Sequence, residues 1–327
     1  VPDPADPARW RAGPGYRITA LRIPMQRGRL GEARAYLVST DAGHLLVDTG
    51  PGDAPAAAAL DELLAAAGVA PAELTAVVVT HAHPDHMGSV DRLQALGVRV
   101  LAHRCDADLY ARRAADAAGY REALAAWLDD RGVPGEDARA WATSMSGRYE
   151  RVRFAPDAFL TDGQEIRLGG LRLRATWTPG YTPGHLILAM PRRRILFLGD
   201  HVLTSLAPNV GEAPDRPPDP LPAYLDSLRL LGRLRDVIGL PGHGDPFDVA
   251  PRARALVAHQ TARARLVLRA VAEGAHDAYT VTTRLWDEPT WATFTPLLKA
   301  NAWGTVAAHL ARLEGRERRL YCDLGMV

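Results

Sequence analysis

Four side chains of types that bind metal ions lie within six residues of this chain, in the run His81-Ala82-His83-Pro84-Asp85-His86. The run directly follows residues 77–80, whose β-branched side chains are typical of a buried strand. Imidazole nitrogens and a carboxylate oxygen, without a thiolate, form a donor set that suits zinc, or iron or manganese, at a hydrolytic centre. A histidine-rich loop without a metal is the alternative, but this density of ligand-type side chains favours a metal site.

Further ligand-type side chains follow predicted strands elsewhere in the chain, and neighbouring glycines allow close approach of the backbone. Two Thr-Pro-Gly turns precede His185, a glycine precedes Asp200, and His243 lies between two glycines. Asp48 ends another predicted strand, where its carboxylate is expected to brace a neighbouring site. Each residue alone is a weak signal. Together they predict one centre, which consists of His81, His83, Asp85, His86, His185, Asp200 and His243.

The elements that must position these side chains alternate between strands and helices. The first half of the chain predicts a helix from Asp53 or Pro55 to Ala67, a helix at 89–96, and strands at 17–23, 33–39, 44–47, 77–80 and 98–102. The second half predicts a helix at 222–234 and strands at 165–168, 171–176, 186–190, 194–198 and 237–240. This order indicates an α/β fold in which helices pack on sheets.

Residues 105–150 lie between these two groups and carry apolar and aromatic side chains at near-helical spacing. We predict two or three inserted helices here. The simplest interpretation is that their apolar side chains form core. The alternative is that some of them line a pocket above the metal site, and Trp127, Met145 and Tyr149 are then the candidates for substrate binding.

Over residues 15–255 the chain resembles the metallo-β-lactamase superfamily. The signature motifs of that family are matched, in order, by the run from His81 to His86 and by Thr178-Pro-Gly-Tyr-Thr-Pro-Gly-His185, Phe197-Leu-Gly-Asp200 and Leu240-Pro-Gly-His-Gly244. The resemblance implies a four-layer αβ/βα sandwich with two divalent metal ions at one edge, zinc being the first expectation and iron or manganese the alternatives. It also implies the ligands: His81, His83 and His185 for the first ion, Asp85, His86 and His243 for the second, and Asp200 as the bridge.

The sequence departs from this family at Tyr181, where many members have a histidine. That position is not a ligand in the family, so the metal site is unaffected, and we expect the tyrosine to face the substrate. Many true β-lactamases of this fold have a cysteine ligand. No cysteine occupies a ligand position in this chain, which argues against β-lactamase activity.

The C-terminal part resembles the small winged-helix domain of the β-lactamase-like protein 2 group. Helices are predicted at 253–273 and 299–314, with residues 279–286 between them and a strand-like stretch at 319–322. The predicted domains are therefore 1–255, catalytic, and 256–327, winged-helix-like. Nucleic-acid binding is not expected, because the formal net charge is only +1. Packing on the core or a homodimer contact is the preferred role.

Composition limits the class of protein. The chain has 327 residues, of which 47% are hydrophobic and 24% charged, as in ordinary globular proteins. No apolar run is long enough to span a membrane, and the first residues have no signal-peptide pattern. The two cysteines, Cys105 and Cys322, suit free thiols in a reducing compartment, so a cytoplasmic location is expected.

The predicted activity is that of a dinuclear metal-dependent hydrolase. A hydroxide shared by the two ions would attack the acyl carbonyl of a thioester, a lactone or a related ester. Asp85 would accept or relay the proton in addition to binding metal, and the apolar segment 105–150 would cover a small-molecule acyl substrate. The alternatives are a metal-dependent nuclease that binds RNA through the winged-helix module, and a redox or tailoring member of the fold that does not hydrolyse its substrate.

Overall fold

Two β-sheets form the centre of the computed structural model, which describes residues 12–26, 31–147, 149, 152–217 and 219–314. The first sheet contains, in spatial order, β1 (Ala12–Gly13), β2 (Tyr16–Pro24), β3 (Glu32–Thr40), β4 (Gly43–Val47), β5 (Leu74–Val78), β6 (Arg99–Ala102) and β7 (Ala158–Phe159). Strands β1 to β4 pair antiparallel, and β4 to β7 pair parallel.

The second sheet contains β8 (Glu165–Leu168), β9 (Leu171–Trp177), β10 (Leu186–Met190), β11 (Ile195–Gly199), β12 (Ile238–Pro241) and β13 (Phe247–Asp248). Its strands pair antiparallel except for β11 and β12, which run parallel. The described helices are α1 (Ala54–Ala66), α2 (Pro84–Met87), α3 (Val90–Ala95), α4 (Arg104–Ala115), α5 (Ala117–Asp129), α6 (Gly135–Ser146), α7 (Leu221–Leu231), α8 (Val249–Ala272), α9 (Ala278–Leu285), α10 (Glu288–Ala292) and α11 (Pro296–Glu314).

Three apolar clusters hold these elements in four layers. The inner faces of the two sheets meet in one cluster, in which Val78 of β5 and Phe197 of β11 are fully buried. A second cluster joins the outer face of the first sheet to α1, α3 and α4, and a third joins the second sheet to α7 and α8. Each sheet therefore buries both faces. The predicted αβ/βα sandwich is confirmed.

The ends of the parallel strands bring the predicted ligands to one edge of the sandwich. Asp48 follows β4 and the histidine run follows β5, while Asp200 follows β11 and His243 follows β12. Carboxyl ends of neighbouring parallel strands lie at the same edge of a sheet, which is the usual place for a ligand site in such folds. Hydrogen bonds join the two sheets at this edge, from Leu186 N to Thr80 O (2.8 Å) and from Tyr36 Oη to Pro241 O (2.7 Å).

The helix expected at 89–96 is present as α3, and a further short helix, α2, which was not predicted, precedes it. Helix α2 begins inside the histidine run with Pro84 in its first turn, where proline is tolerated, and ends at Met87. Gly88 separates it from α3, and a Cβ at Gly88 would lie only 2.1 Å from Gly52 N. The second half of the run is therefore helical, which places Asp85 and His86 on one turn.

The inserted helices α5 and α6 share a core with the C-terminal helices. Leu124 of α5 and Trp141 of α6 pack with Val267 of α8, Val281 of α9 and Trp303 of α11. The segment expected to cover the metal site therefore packs mainly with the C-terminal helices, whereas α4 and Tyr120 of α5 pack against the first sheet.

The described part of the C-terminal region is helical. The predicted boundary at 255/256 falls inside α8, and the strand expected at 319–322 lies outside the described residues. The winged-helix assignment therefore stays a prediction. Among the described helices, none is both long enough and apolar enough to cross a membrane.

Loosening α5 should destabilise the C-terminal helices as well, because both contribute to one core. We expect Leu124→Ala to lower the free energy of unfolding by about 2–5 kcal/mol, and to accelerate amide hydrogen exchange in α11 as well as in α5. Leu230→Ala is the matched control, since Leu230 is 64% exposed whereas Leu124 is fully buried. Faster exchange confined to α5 would contradict a shared core.

Candidate metal centre

Hydrogen bonds at the Nδ1 atoms fix the orientation of four histidine rings. His81 Nδ1 lies 3.0 Å from Thr80 Oγ1, His86 Nδ1 lies 2.9 Å from Asp48 Oδ2, and His185 Nδ1 lies 2.9 Å from Thr178 Oγ1. His243 Nδ1 donates to the backbone carbonyl of Glu32 at 2.7 Å. A ring whose Nδ1 is engaged in this way presents the lone pair of Nε2 to a metal ion.

The metal-facing atoms of these side chains converge. His81 Nε2 lies 3.0 Å from His83 Nδ1, and Asp200 Oδ1 lies 3.3 Å from His86 Nε2 and 3.7 Å from His243 Nε2. Two sets of ligand atoms each fall within 4.8 Å of one another, one from His81, His83 and Asp200 and the other from Asp85, His86 and His243.

His185 lies outside both sets but next to the first. Its ring stacks on that of His81 with the ring centroids 5.2 Å apart, and its Nε2 is buried. All seven predicted ligands thus lie at one edge of the sandwich. How they divide between two ions stays a prediction, because the first set contains Asp200 where the resemblance implies His185.

Glycines make the close approach of these loops possible. Gly199 has φ +48°, and a Cβ on it would lie 2.8 Å from His185 Nε2. A Cβ on Gly242 would lie 2.4 Å from the His86 ring and 2.6 Å from Asp200 Oδ1. A side chain at either position would therefore displace a predicted ligand, which explains why the motifs place glycines there.

Burial and mutual charge shift the ionisation of the ligands. Burial lowers the pKa of His81 and of His185, so both rings are held in the neutral form that binds metal. Although burial opposes it, the charges of Asp200 and Asp48 raise the pKa of His86. Burial also opposes ionisation of Asp200, but His86 and His243 outweigh it and lower the pKa of this carboxyl to about 2.

The residues present fit metal ions. Within the described residues, His86 Nε2, His185 Nε2, His243 Nε2 and Asp200 Oδ1 are buried without a hydrogen-bond partner. Buried polar atoms are normally paired, so four unpaired atoms in one cluster indicate that a cation completes their coordination. Three imidazole nitrogens and a carboxylate oxygen match the preferences of zinc, and equally of iron or manganese.

Asp106, which was not predicted from the sequence, connects the two halves of the site. It lies in the first turn of α4 and is buried, and Oδ2 accepts hydrogen bonds from Ala82 N (2.9 Å) and Thr182 Oγ1 (2.7 Å). Oδ1 accepts a third from Gly184 N at 2.6 Å. The carboxylate therefore joins the histidine run to the turn before His185. No spacing pattern in the sequence marks it.

Two of the four residues predicted to bind substrate lie near the ligands. The hydroxyl of Tyr181 donates to Asp200 Oδ2 at 2.8 Å, and its ring lies 5.1 Å from those of both His81 and His83. Tyr149 lines a cavity beside His83.

The other two lie in the helical core. The ring of Trp127 packs 5.3 Å from that of Trp303, and Met145 packs in the same cluster. This position corrects the expectation that they line the site. Their helical periodicity reflects contact with the C-terminal helices instead.

Comparisons with known proteins agree with this geometry. The profile of the metallo-beta-lactamase superfamily matches residues 28–243. The probable metallo-hydrolase YqjP of Bacillus subtilis (strain 168) is 30% identical over 239 residues, which cover 70% of this chain and 72% of YqjP. The metallo-beta-lactamase family protein TTHA1429 of Thermus thermophilus has a similar structure, with a TM-score of 0.78 and 29% identity over 93% of this chain and 95% of that one.

One relative has a more specific name. The atrochrysone carboxyl ACP thioesterase of Aspergillus fumigatus is 26% identical over 253 residues. The match covers 77% of this chain but only 47% of the relative, so the chain spans about half the length of that protein.

Removing one acceptor at Asp106 should weaken metal binding without touching a ligand. An asparagine would turn an amide donor toward one of the backbone N–H groups that now donate to the carboxylate. We expect Asp106→Asn to weaken metal affinity by about 10–100-fold, as other changes around metal ligands do. Competition with a chelator would measure this. Asp108→Asn, at an exposed position of the same helix, is the control, and equal metal affinity in the two variants would contradict the role of Asp106.

Proposed function

Since this chain belongs to the metallo-β-lactamase superfamily, we propose that it is a metal-dependent hydrolase that attacks the acyl carbonyl of a thioester, a lactone or a related ester. The cluster of buried, unpaired ligand atoms at the sheet edge carries the proposal, because it accounts for a metal centre without reference to any relative. Among these substrates we favour thioesters.

The preference for thioesters rests on the relative named as an ACP thioesterase. Its match extends over 77% of this chain but over less than half of the relative. A thioester also suits a centre without a nucleophilic serine or cysteine among its ligands, because an activated water can attack the thioester carbonyl directly.

Seven side chains would hold the metal ions. We assign His81, His83 and His185 to one ion, Asp85, His86 and His243 to the other, and Asp200 to both, with zinc as the first expectation. When bound, such ions supply a water molecule that is ionised near neutral pH and polarise the carbonyl of the substrate. Thr80, Thr178 and Asp48 would keep the imidazole rings oriented, through the hydrogen bonds to their Nδ1 atoms.

Asp85 is the carboxylate best placed to accept a proton. Its side chain is 25% exposed, whereas that of Asp200 is 5% exposed. Although burial opposes ionisation of Asp85, His243, whose Nε2 lies 3.4 Å from Asp85 Oδ2, and the other neighbouring histidines lower the pKa of this carboxyl, so it is ionised at neutral pH. A proton received by this partly exposed carboxylate can pass to solvent, which an enclosed carboxylate does not allow.

Tyr181 would limit how the substrate enters. Its ring stands over those of His81 and His83, and its hydroxyl holds Asp200 Oδ2. The phenol therefore fixes one carboxylate oxygen and covers that side of the histidine pair. An acyl group would approach past this ring.

Metal analysis combined with a thioesterase assay tests the proposal. The purified protein should contain about two divalent ions per chain and should release thiol from acyl thioesters. His83→Ala should lose one or both ions together with the activity, because His83 Nδ1 is one of the paired ligand atoms. His276→Ala, at an exposed position between α8 and α9, should keep the metal ions and the activity.

Two results would contradict the proposal. A wild-type protein that binds no metal, with unchanged stability in His83→Ala, would exclude the metal centre. Cleavage of short RNA without hydrolysis of thioesters or lactones would retain the metal centre and replace the reaction with that of a nuclease.

A further inference from the structure

A small cavity that is partly open to solvent adjoins the metal centre on the side of His83. Its walls come from the histidine run, from α4 and from the loop between β11 and α7, and they contain two arginines, Arg113 and Arg216. Tyr149 and Leu109 also line it. A ligand in this cavity would lie next to one of the proposed metal ligands, and so next to the reacting carbonyl.

Arg113 lines the cavity, and the carboxylate of Asp215 already balances its charge. Its guanidinium makes a two-point ion pair with Asp215, in which Nε donates to Oδ2 at 2.7 Å. A third group of the same guanidinium donates to the hydroxyl of Tyr149. The side chain is 7% exposed, so this pair connects α4 to the loop and leaves Arg113 little capacity for a further anion.

Arg216 differs from Arg113 in that none of its hydrogen-bond partners among the described residues carries a charge. Its two terminal nitrogens donate to backbone carbonyls, of Tyr181 at 3.0 Å and of Gly211 at 3.3 Å. Its Nε is buried and has no hydrogen-bond partner in the described part of the chain. Burial, and secondarily the charge of Arg113, lower the pKa of Arg216, so an anion beside it would relieve an unfavourable charge.

Asp106 also lines the cavity, and its charge raises the pKa of Arg216, but burial and the charge of Arg113 outweigh this effect. Its two oxygens already accept three hydrogen bonds, from Ala82, Thr182 and Gly184, and none of these comes from an arginine. Asp106 is therefore committed to holding the ligand loops together. Of the two arginines that line the cavity, Arg216 is the one whose described contacts include no counter-ion.

We propose that this cavity binds a carboxylate on the acyl part of the substrate, with Arg216 as its counter-ion. This inference rests on the proposed function and narrows the substrate class to thioesters of acids that carry a second acidic group. We assign the carboxylate to the acyl part because the cavity touches the proposed ligand His83, which places it beside the reacting carbonyl. The phosphates of a pantetheine leaving group are separated from the thioester sulfur by a long arm and would lie well outside it.

Two thioesters of N-acetylcysteamine, the glutaryl and the pentanoyl ester, isolate this interaction because only the acyl group differs in charge. The wild type should prefer the glutaryl ester, and Arg216→Gln should lower kcat/KM for this ester on the order of 10–100-fold while leaving the pentanoyl ester within about twofold. The ratio of the two rates within one preparation does not depend on the fraction of folded protein. Arg216→Lys keeps the charge and should recover part of the preference.

Binding of glutarate gives a readout that does not need turnover. By calorimetry, the wild type and the control Arg167→Gln, whose side chain is 62% exposed on β8, should bind glutarate at least about tenfold more tightly than Arg216→Gln. Equal binding by all three proteins, or an unchanged preference for the glutaryl ester in Arg216→Gln, would overturn the inference.

A further pair of substrates locates the anion. If Arg216→Gln impaired hydrolysis of pentanoyl-CoA but not of the pentanoyl ester of N-acetylcysteamine, the arginine would bind the leaving group and the assignment to the acyl part would be wrong. If no protein hydrolysed any thioester, the proposed function would fail, and the glutarate titration would still decide whether the cavity binds a carboxylate.

Discussion

The buried carboxylate of Asp48 is the interaction on which the metal centre depends. It accepts hydrogen bonds from Thr80 N at 2.7 Å and Thr80 Oγ1 at 2.8 Å, and it holds His86 Nδ1 at 2.9 Å. Because the Thr80 hydroxyl gives its proton to Asp48, it can only accept from His81 Nδ1. A single side chain at the end of β4 thus sets the direction of two rings that follow β5, and removing it would leave buried donors without an acceptor.

Asp106 performs the corresponding task on the other side of the centre. Both carboxylates accept three contacts from loops that follow strands, but Asp48 joins two strand ends within one sheet, whereas Asp106 joins the two sheets. Since the ligands come from four separate loops, their convergence within a few ångströms requires such cross-connections. The glycines at 199 and 242 permit the approach, and the two carboxylates fix it.

The order of strands and helices predicted the α/β layers. The seven side chains proposed as ligands were found because ligand-type side chains beside glycines at strand ends are a pattern that repeats along the chain, and the structure places all seven at one edge of the sandwich. The sequence missed Asp106 and Arg216, since each is a single charged residue whose partners lie elsewhere in the sequence. It also placed Trp127 and Met145 at the site. Helical periodicity shows that one face of a helix is apolar, but it does not show which element covers that face, and here the C-terminal helices do.

The three helices of the inserted segment 105–150 therefore have different contacts. Helices α5 and α6 contribute to the helical core, whereas α4 reaches the centre, through Asp106 to the ligand loops and through Arg113 to the loop that carries Arg216. The proposed metal ligands belong to loops at the sheet edge, so the groups that would bind metal and the group that would recognise the acyl part lie on different segments. On this proposal, a substitution at Arg216 would change which acyl group is accepted, while Asp48 and Asp106 would keep the positions of the ligands fixed.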